Sequence, residues 1–289
     1  MVDPIATAAV GAVGELSKSA GGLLNKWLGP VAEESAQNLV KRYRRRVERI
    51  AQRGEKKTNL ESPGAVPLRV AAAVFEKAQW SDDEFVAEYL SGVLASGRSN
   101  DGENDAGVSW AALVGRMSAD QLRLHYVLYS GVRARVIADG LHTLWDWTTR
   151  HFVVDVEGLF DSLDWPLKED AHLHRLYEAA YGLEREDCLT EMSHGDGDYL
   201  SRVVSYTKGR AFDAQRAFFV FRVTATGIKL FLNGHGYGQK WYSAIEDSDL
   251  EFTSHFDAGT TSAATVSFVD SVPRVAQTPT VQDISASTP

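Results

Sequence analysis

The sequence predicts an α+β protein that is predominantly α, with an N-terminal helical bundle followed by a C-terminal winged-helix-like α/β module. Two observations lead to this prediction. Through residues 31–135, apolar residues recur at intervals of three and four, which is the period of helices with one buried face. The chain then changes to aromatic and β-branched residues, and its strongest strand pattern, RAFFVFRV, covers residues 216–223.

The clearest helical unit covers residues 67–97, where a well-marked turn joins two helices. Ser81 and Glu84 have the spacing of a capping box, in which each side chain bonds the other's backbone N–H. We therefore expect Ser81 to be the N-cap of the second helix. Gly97 follows the last apolar residue and is expected to end that helix.

Further helices follow from the same kinds of signal. Ser118 and Gln121 repeat the capping-box spacing, and helical periodicity predicts helices at 108–117 and 172–183. Thr224 is a natural N-cap for a short closing helix after the strongest strand. A helix, a loop, a strand and a closing helix in this order are typical of a winged-helix-like module.

The remaining segments are predicted to be strands, a loop and a tail. Strands are expected at 151–156, 239–245, 250–256 and 264–269. The Gly-Asp repeat within 194–198 predicts a turn-rich loop. From Ser271 onward Pro, Ser and Thr are frequent, which predicts a disordered tail. The chain is thereby divided into an amphipathic segment, a helical domain, a winged-helix-like domain and a tail. Their bounds are 1–30, 31–140, 141–270 and 271–289.

Composition and motif spacing exclude several classes of protein. With 44% hydrophobic and 24% charged residues, the chain is typical of soluble globular proteins. Cys188 is its one cysteine, which excludes an internal disulfide and a cysteine-based zinc site. The sequence does not open with a secretory signal pattern, so we expect a cytoplasmic protein. No catalytic, metal-binding or nucleotide-binding spacing is present, and we expect neither enzymatic activity nor a metal or cofactor.

The charges are distributed unevenly along the chain. Residues 1–57 carry 11 basic and six acidic side chains, a net charge of +5, whereas the rest carries 19 basic and 33 acidic ones, a net charge of −14. A helix predicted from Pro30 to about Lys57 holds most of this positive charge. Its face either binds phosphates of nucleic acid or anionic lipid, or is simply solvated. The candidate anion-binding residues are Lys41, Arg42, Arg44, Arg45, Arg46, Arg49 and Arg53.

An apolar stripe at helical spacing precedes the basic helix, within residues 5–28. Its Ala, Gly, Ser and Thr content makes it too weakly hydrophobic to span a membrane. It either lies on a membrane surface, in which case the protein associates with the membrane on activation, or packs on the body or on a second subunit. A homo-oligomer is one expectation from the last alternative. The membrane-facing or partner-facing candidates are Leu16, Leu23, Leu24, Trp27 and Leu28.

Two stretches, VPLRVAAAVFEKAQWSDDEFVAEYLSGVLASG and VSWAALVGRMSADQLRLHYVL, resemble the Abi-alpha (abortive infection protein alpha) family of bacterial proteins. Residues 66–68, 90–95 and 117–120 match its helix-entry, helix and helix-start motifs. Residues 223–227 stand at its C-terminal motif but lack the Pro and the second Leu. The resemblance covers roughly residues 21–235.

The resemblance implies a role in bacterial defence against phage, often through a response that harms the infected cell. A phage-derived trigger is the partner expected for such a response. The family provides no catalytic residues to transfer to this chain. The alternative, drawn from the residues themselves, is a nucleic-acid-binding regulator that uses the basic helix 41–57 with help from the winged-helix-like module.

Overall fold

The structure, a computed structural model, describes residues 31–58, 64–78, 83–165, 170–202, 212–252 and 269–273. These residues form an α+β fold that is predominantly helical, as the sequence predicts. The helices are α1 (Val31–Lys56), α2 (Leu68–Ala78), α3 (Glu84–Ser96), α4 (Gly107–Val114), α5 (Ala119–Asp139), α6 (Leu144–Thr148), α7 (Val156–Leu163), α8 (Asp170–Arg185), α9 (Gly197–Arg202) and α10 (Ala225–Gly234). The strands are β1 (Arg150–Asp155), β2 (Leu189–Asp196), β3 (Ala217–Val223) and β4 (Val269–Pro273).

Hydrogen bonds confirm two of the predicted helix starts. The Ser118 hydroxyl accepts from the Gln121 backbone N–H, and the Gln121 side chain accepts from the Ser118 N–H, which completes the capping box of α5. Thr224 caps α10 by accepting from the N–H of Gly227. Helix α1 also ends within one residue of its predicted end at Lys57.

The predicted cap of α3 is wrong by two residues. Helix α3 begins at Glu84, and its N-cap is Asp83, whose carboxylate accepts from the N–H groups of Phe85 and Val86. Ser81 itself lies outside the described residues. Asp and Ser are comparable N-caps, so the choice between neighbouring candidates depends on the path of the chain into the helix.

Three predictions in the C-terminal half are also wrong. Residues 194–196 belong to β2 and residues 197–198 begin α9, where a loop was expected. Instead of a strand at 239–245, the chain forms a 3₁₀ turn at Tyr242–Ile245. Residues 271–273 of the expected tail pair with β1 as part of β4. Residues 250–252 form no strand, and the rest of 250–256, residues 264–268 and the tail beyond 273 lie outside the described residues.

The described strands form one antiparallel sheet in the order β2-β3-β1-β4. Phe152 pairs with Phe221 in this sheet, and both side chains are buried in the main core. Val153 and Val220 point to the other face, where they pack with Leu200 of α9. The alternation follows from the two-residue period of a strand. The main core runs from α1 to the 3₁₀ turn and crosses residue 140, while the predicted domain division there stays a prediction.

Helix α10 lies in the core and crosses α3 at very short distance. A Cβ added to Gly92 of α3 would lie 1.9 Å from the carbonyl oxygen of Gly234 at the end of α10. Only glycine allows the two backbones to approach this closely. Seven of the ten residues of α10 are buried, including Ile228 and Phe231. Consequently α10 is a packing element between α3 and α5.

Two buried histidines lie where α5 meets α10, and one of them, His125, also bonds α3. The Tyr89 hydroxyl donates to His125 Nδ1 at 2.6 Å, and His125 Nε2–H donates to the Gly227 carbonyl at 3.0 Å. His235 Nδ1–H donates to the Phe231 carbonyl at 2.7 Å. Burial lowers the pKa of both imidazoles to about 3, because a charged ring would lose its hydration.

Within the described part of the chain, no helix is long and apolar enough to cross a membrane. The predicted apolar stripe, with Leu16, Leu23, Leu24, Trp27 and Leu28, lies outside that part. Its two interpretations, a surface-lying helix or a packed one, stay predictions.

Replacing Gly92 by Ala should lower the free energy of unfolding by about 2–3 kcal/mol, because the new methyl group would force α3 and α10 apart. The matched control is Gly115→Ala, whose Cβ would meet the partly exposed Lys77 side chain, a group free to move aside. This control should stay within about 0.5 kcal/mol of wild type. Urea unfolding at pH 7 measures both, and equal midpoints for the two variants would contradict the close crossing.

Stability should fall on acidification below pH 6.5, because unfolding lets both buried imidazoles bind protons. Their folded pKa of about 3 lies below the ordinary 6.5, so their contribution is present above pH 6.5 and is lost as the pH approaches 3. Each should remove up to about 1.4 kcal/mol per pH unit. In urea unfolding from pH 6 to 5, His235→Asn should show a shallower decline than wild type. The exposed His174→Gln should decline as wild type does, and identical slopes for all three would refute the assignment.

Candidate functional site

Helix α1 is the element that places the predicted anion-binding residues. It packs chiefly on α3, with Ile50 buried and Tyr43 and Val47 half-buried. Near its C-terminal end, a Cβ added to Gly54 would lie 3.3 Å from the Ser91 carbonyl oxygen of α3, so the two backbones approach closely there. The C-terminal end of α1 is therefore fixed to the body of the protein.

The seven candidate residues divide into two groups along the helix. Lys41, Arg42, Arg44 and Arg45 are exposed, and we refer to these four as the basic turn. Arg46 is half-buried. Arg49 and Arg53 both form ion pairs with α3, and so the structure does not bring all seven candidates to one solvated face. Whether the basic turn binds an anion stays a prediction.

Glu84 lies between Arg49 and Arg53. The Arg49 guanidinium donates to Glu84 Oε1 at 2.6 Å, and Arg53 donates to Glu84 Oε2. The side chains of Arg49 and Glu84 are 39% and 44% exposed, whereas that of Arg53 is 11% exposed. We refer to this arrangement, one carboxylate bound by two guanidinium groups, as the Glu84 clamp.

A second ion pair lies deeper, at the end of α1. Lys57 Nζ is 2.8 Å from Glu88 Oε1, and the two side chains are 7% and 5% exposed. The same ammonium donates to the Gly234 carbonyl at the C-terminus of α10, at 2.6 Å. Burial lowers the pKa of Lys57, and the adjacent Glu88 carboxylate acts in the opposite direction. This ammonium holds α1, α3 and α10 together.

A cleft beside the Glu84 clamp is open to solvent. It has a volume of about 540 Å³, and is lined by Arg49, Gln52, Arg53, Glu55 and Lys56. The clamp can therefore be reached from solution along the side of α1. The described residues contain no group of three or more His, Cys, Asp or Glu side chains placed to hold a metal ion.

The surroundings of Cys188 determine how reactive its thiol is. Burial, together with Asp187 and Glu186, raises the pKa of its thiol to about 12. The thiol is therefore protonated at neutral pH and a poor nucleophile. Burial is the larger cause, and the two acidic neighbours act in the same direction.

The ion-pair partners of the arginines were not among the residues predicted from the sequence. Glu84 was interpreted as part of a helix cap, and Glu88 and Lys57 were not among the candidate residues. The spacing could have indicated this pairing, because five basic residues follow one another at intervals of four and the two acidic residues are also four apart. The basic series is Lys41, Arg45, Arg49, Arg53 and Lys57, and the acidic pair is Glu84 and Glu88.

Comparisons with known proteins identify no family, since no family model, no curated protein and no solved structure matches this chain. The resemblance to the Abi-alpha family therefore stays a prediction. What the chain does has to be inferred from the chemistry of the basic turn and of the Glu84 clamp.

Replacing Glu88 by Gln should lower the free energy of unfolding by about 3 kcal/mol, because the Lys57 ammonium would stay buried without a counter-charge. Glu178→Gln is the control, since that side chain is 72% exposed, and it should change stability by less than about 0.5 kcal/mol. Adding Lys57→Met to Glu88→Gln should recover part of the loss. Chemical unfolding measures the three variants, and a Glu88 variant as stable as the control would contradict a buried ion pair.

Proposed function

We propose that this chain is a bacterial anti-phage defence protein of the abortive infection type, and that it acts by binding an anionic membrane surface through the basic turn of α1. The observation that carries the proposal is the exposure of Lys41, Arg42, Arg44 and Arg45 on a helix whose other end is fixed to the protein. The resemblance to the Abi-alpha family supports the defence role.

The charge distribution supports a membrane-facing role for α1. Clustered Lys and Arg side chains are attracted to anionic lipids with about 1 kcal/mol each near the surface. The rest of the chain, from residue 58 onward, carries a net charge of −14 and would be repelled by the same surface. Attraction at one end and repulsion elsewhere orient the protein with α1 toward the membrane. In this proposal the protein is cytoplasmic and associates with the membrane on activation.

The alternative, a nucleic-acid-binding regulator, would use two elements, α1 and the winged-helix-like module, and the second is less well supported. In a winged-helix-like module a helix enters the major groove and has to expose its side chains. Helix α10, the closing helix of the predicted module, is largely buried between α3 and α5. A nucleic acid would therefore have to bind through α1 alone, next to an acidic body. The membrane is the better supported partner, and nucleic-acid binding is an outcome that the experiment below can reveal.

Charge reversal of the basic turn tests the membrane proposal. Full-length protein carrying Lys41→Glu, Arg42→Glu and Arg45→Glu should bind vesicles of phosphatidylglycerol and phosphatidylcholine at least about 100-fold more weakly than wild type. A matched control reverses the exposed Arg185, Arg202 and Lys240 and so carries the same net charge. This control should keep most of its affinity in a co-sedimentation assay.

Three further measurements complete this test. Binding to pure phosphatidylcholine vesicles should be weak, because that surface has no net charge. If wild type retards a DNA duplex with a steep salt dependence but ignores the anionic vesicles, the nucleic-acid alternative is correct. In cells, wild type should reduce phage plating and the reversed variant should not, and equal plaque counts with and without the gene across a broad phage panel would refute the defence role.

A further inference from the structure

Basic residues spaced four apart along α1, with Lys57 directly after its end, form a ridge that runs from solvent into the core. Lys41, Arg45, Arg49, Arg53 and Lys57 are spaced four apart, and neighbours in such a series lie about 6 Å apart along a helix. Four residues turn a helix by slightly more than one full turn, so the ridge winds gradually toward α3. Lys41 and Arg45 are exposed, whereas Lys57 at the other end is buried.

The Glu84 clamp occupies the middle of this ridge. Each oxygen of the Glu84 carboxylate is bound by a different guanidinium group, from Arg49 and from Arg53. Two arginines around one pair of oxygens are also the arrangement by which proteins bind the oxygens of a phosphate group. The clamp is therefore a phosphate-type site that the protein fills with its own carboxylate.

The ion pairs of Glu84 and those of Glu88 differ in how easily they exchange. Glu84 and Arg49 are both more than a third exposed, and separating such a pair in water costs little. Arg53, the second partner of Glu84, is 11% exposed and would pair with the incoming anion instead. Glu88 and Lys57 are buried, and the loss of Glu88 would leave the Lys57 ammonium without a counter-charge. An anion arriving from solution can therefore replace Glu84, while Glu88 keeps α1 attached to the body.

We propose that the phosphate group of an anionic lipid replaces the Glu84 carboxylate between Arg49 and Arg53, so that Glu84 is a built-in competitor that weakens membrane binding. This inference rests on the proposed function, because it extends the anion-binding surface of α1 from the basic turn to the next position on the ridge. The open cleft beside Arg49 and Arg53 provides the path for the headgroup. Glu84 thereby sets how anionic a membrane must be before the protein binds it.

Removing the competitor tests the inference. In full-length protein, Glu84→Gln keeps the shape and a hydrogen-bond acceptor but removes the charge. It should bind phosphatidylglycerol-containing vesicles on the order of fivefold more tightly than wild type, with a steeper dependence on salt. Glu157→Gln is the matched control, because Glu157 is exposed on α7 and its replacement changes the net charge by the same amount. This control should change the affinity by less than about twofold.

Arg49 provides an independent variant. Arg49→Gln alone should weaken vesicle binding only modestly, because in wild type Glu84 competes with the lipid for that arginine. In the Glu84→Gln background, the same replacement should remove most of the gain. Circular dichroism and the unfolding midpoint verify that each variant is folded, and Glu84→Asp, which shortens the carboxylate, should give an intermediate gain if Glu84→Gln does not fold.

The possible outcomes distinguish a failure of this inference from a failure of the proposed function. If wild type binds anionic vesicles but Glu84→Gln and Glu157→Gln bind equally, Glu84 is not a competitor and only the inference fails. If neither wild type nor Glu84→Gln binds anionic vesicles at low salt, the membrane proposal itself fails. If Glu84→Gln gains affinity for a DNA duplex and none for vesicles, the clamp takes phosphates of nucleic acid and the lipid assignment is wrong.

Discussion

A carboxylate that is taken out of water needs a cation beside it, and Glu88 on α3 is only 5% exposed. Lys57 supplies that cation from the end of α1, and the same ammonium donates to the last carbonyl of α10, at Gly234. A positive charge at a helix C-terminus is also favourable to the helix dipole. One buried ammonium therefore determines where three helices meet, and the direction in which α1 leaves the body follows from it.

From that fixed end, α1 carries its basic ridge outward past the Glu84 clamp to the exposed basic turn. The more exposed ion pair of Glu84 and the buried ion pair of Glu88 are thus neighbours, separated by a single turn of α3, and Arg53 contacts both carboxylates. In the proposed mechanism, the exposed pair exchanges with an anion while the buried pair keeps α1 attached to the protein. The acidic remainder of the chain makes that presentation directional, because it would repel an anionic surface wherever α1 did not face it.

The close crossing of α3 and α10 explains why α10, the closing helix of the predicted winged-helix-like module, is largely buried. Gly92 and Gly234 bring the two backbones into contact, and a helix packed in this way is buried on most of its surface. Apart from the cap of α3, the wrong predictions lie in the same C-terminal half of the chain. Residues 194–198 were assigned to a loop from their glycines and aspartates, but pairing with β3 holds 194–196 in a strand. Local turn propensity is overridden where a neighbouring strand supplies hydrogen bonds.

The sequence by itself determined the features that depend on residues a few positions apart. The capping box of Ser118 and Gln121 was predictable because its hydrogen bonds join residues three apart, and the amphipathic helices were predictable because their period is local. The basic character of α1 was equally visible. Which of its charges stay in water was decided only by the tertiary structure, because Arg49 and Arg53 meet Glu84 across 35 and 31 residues of chain. An ion pair depends on distance in space, and no local pattern encodes that distance.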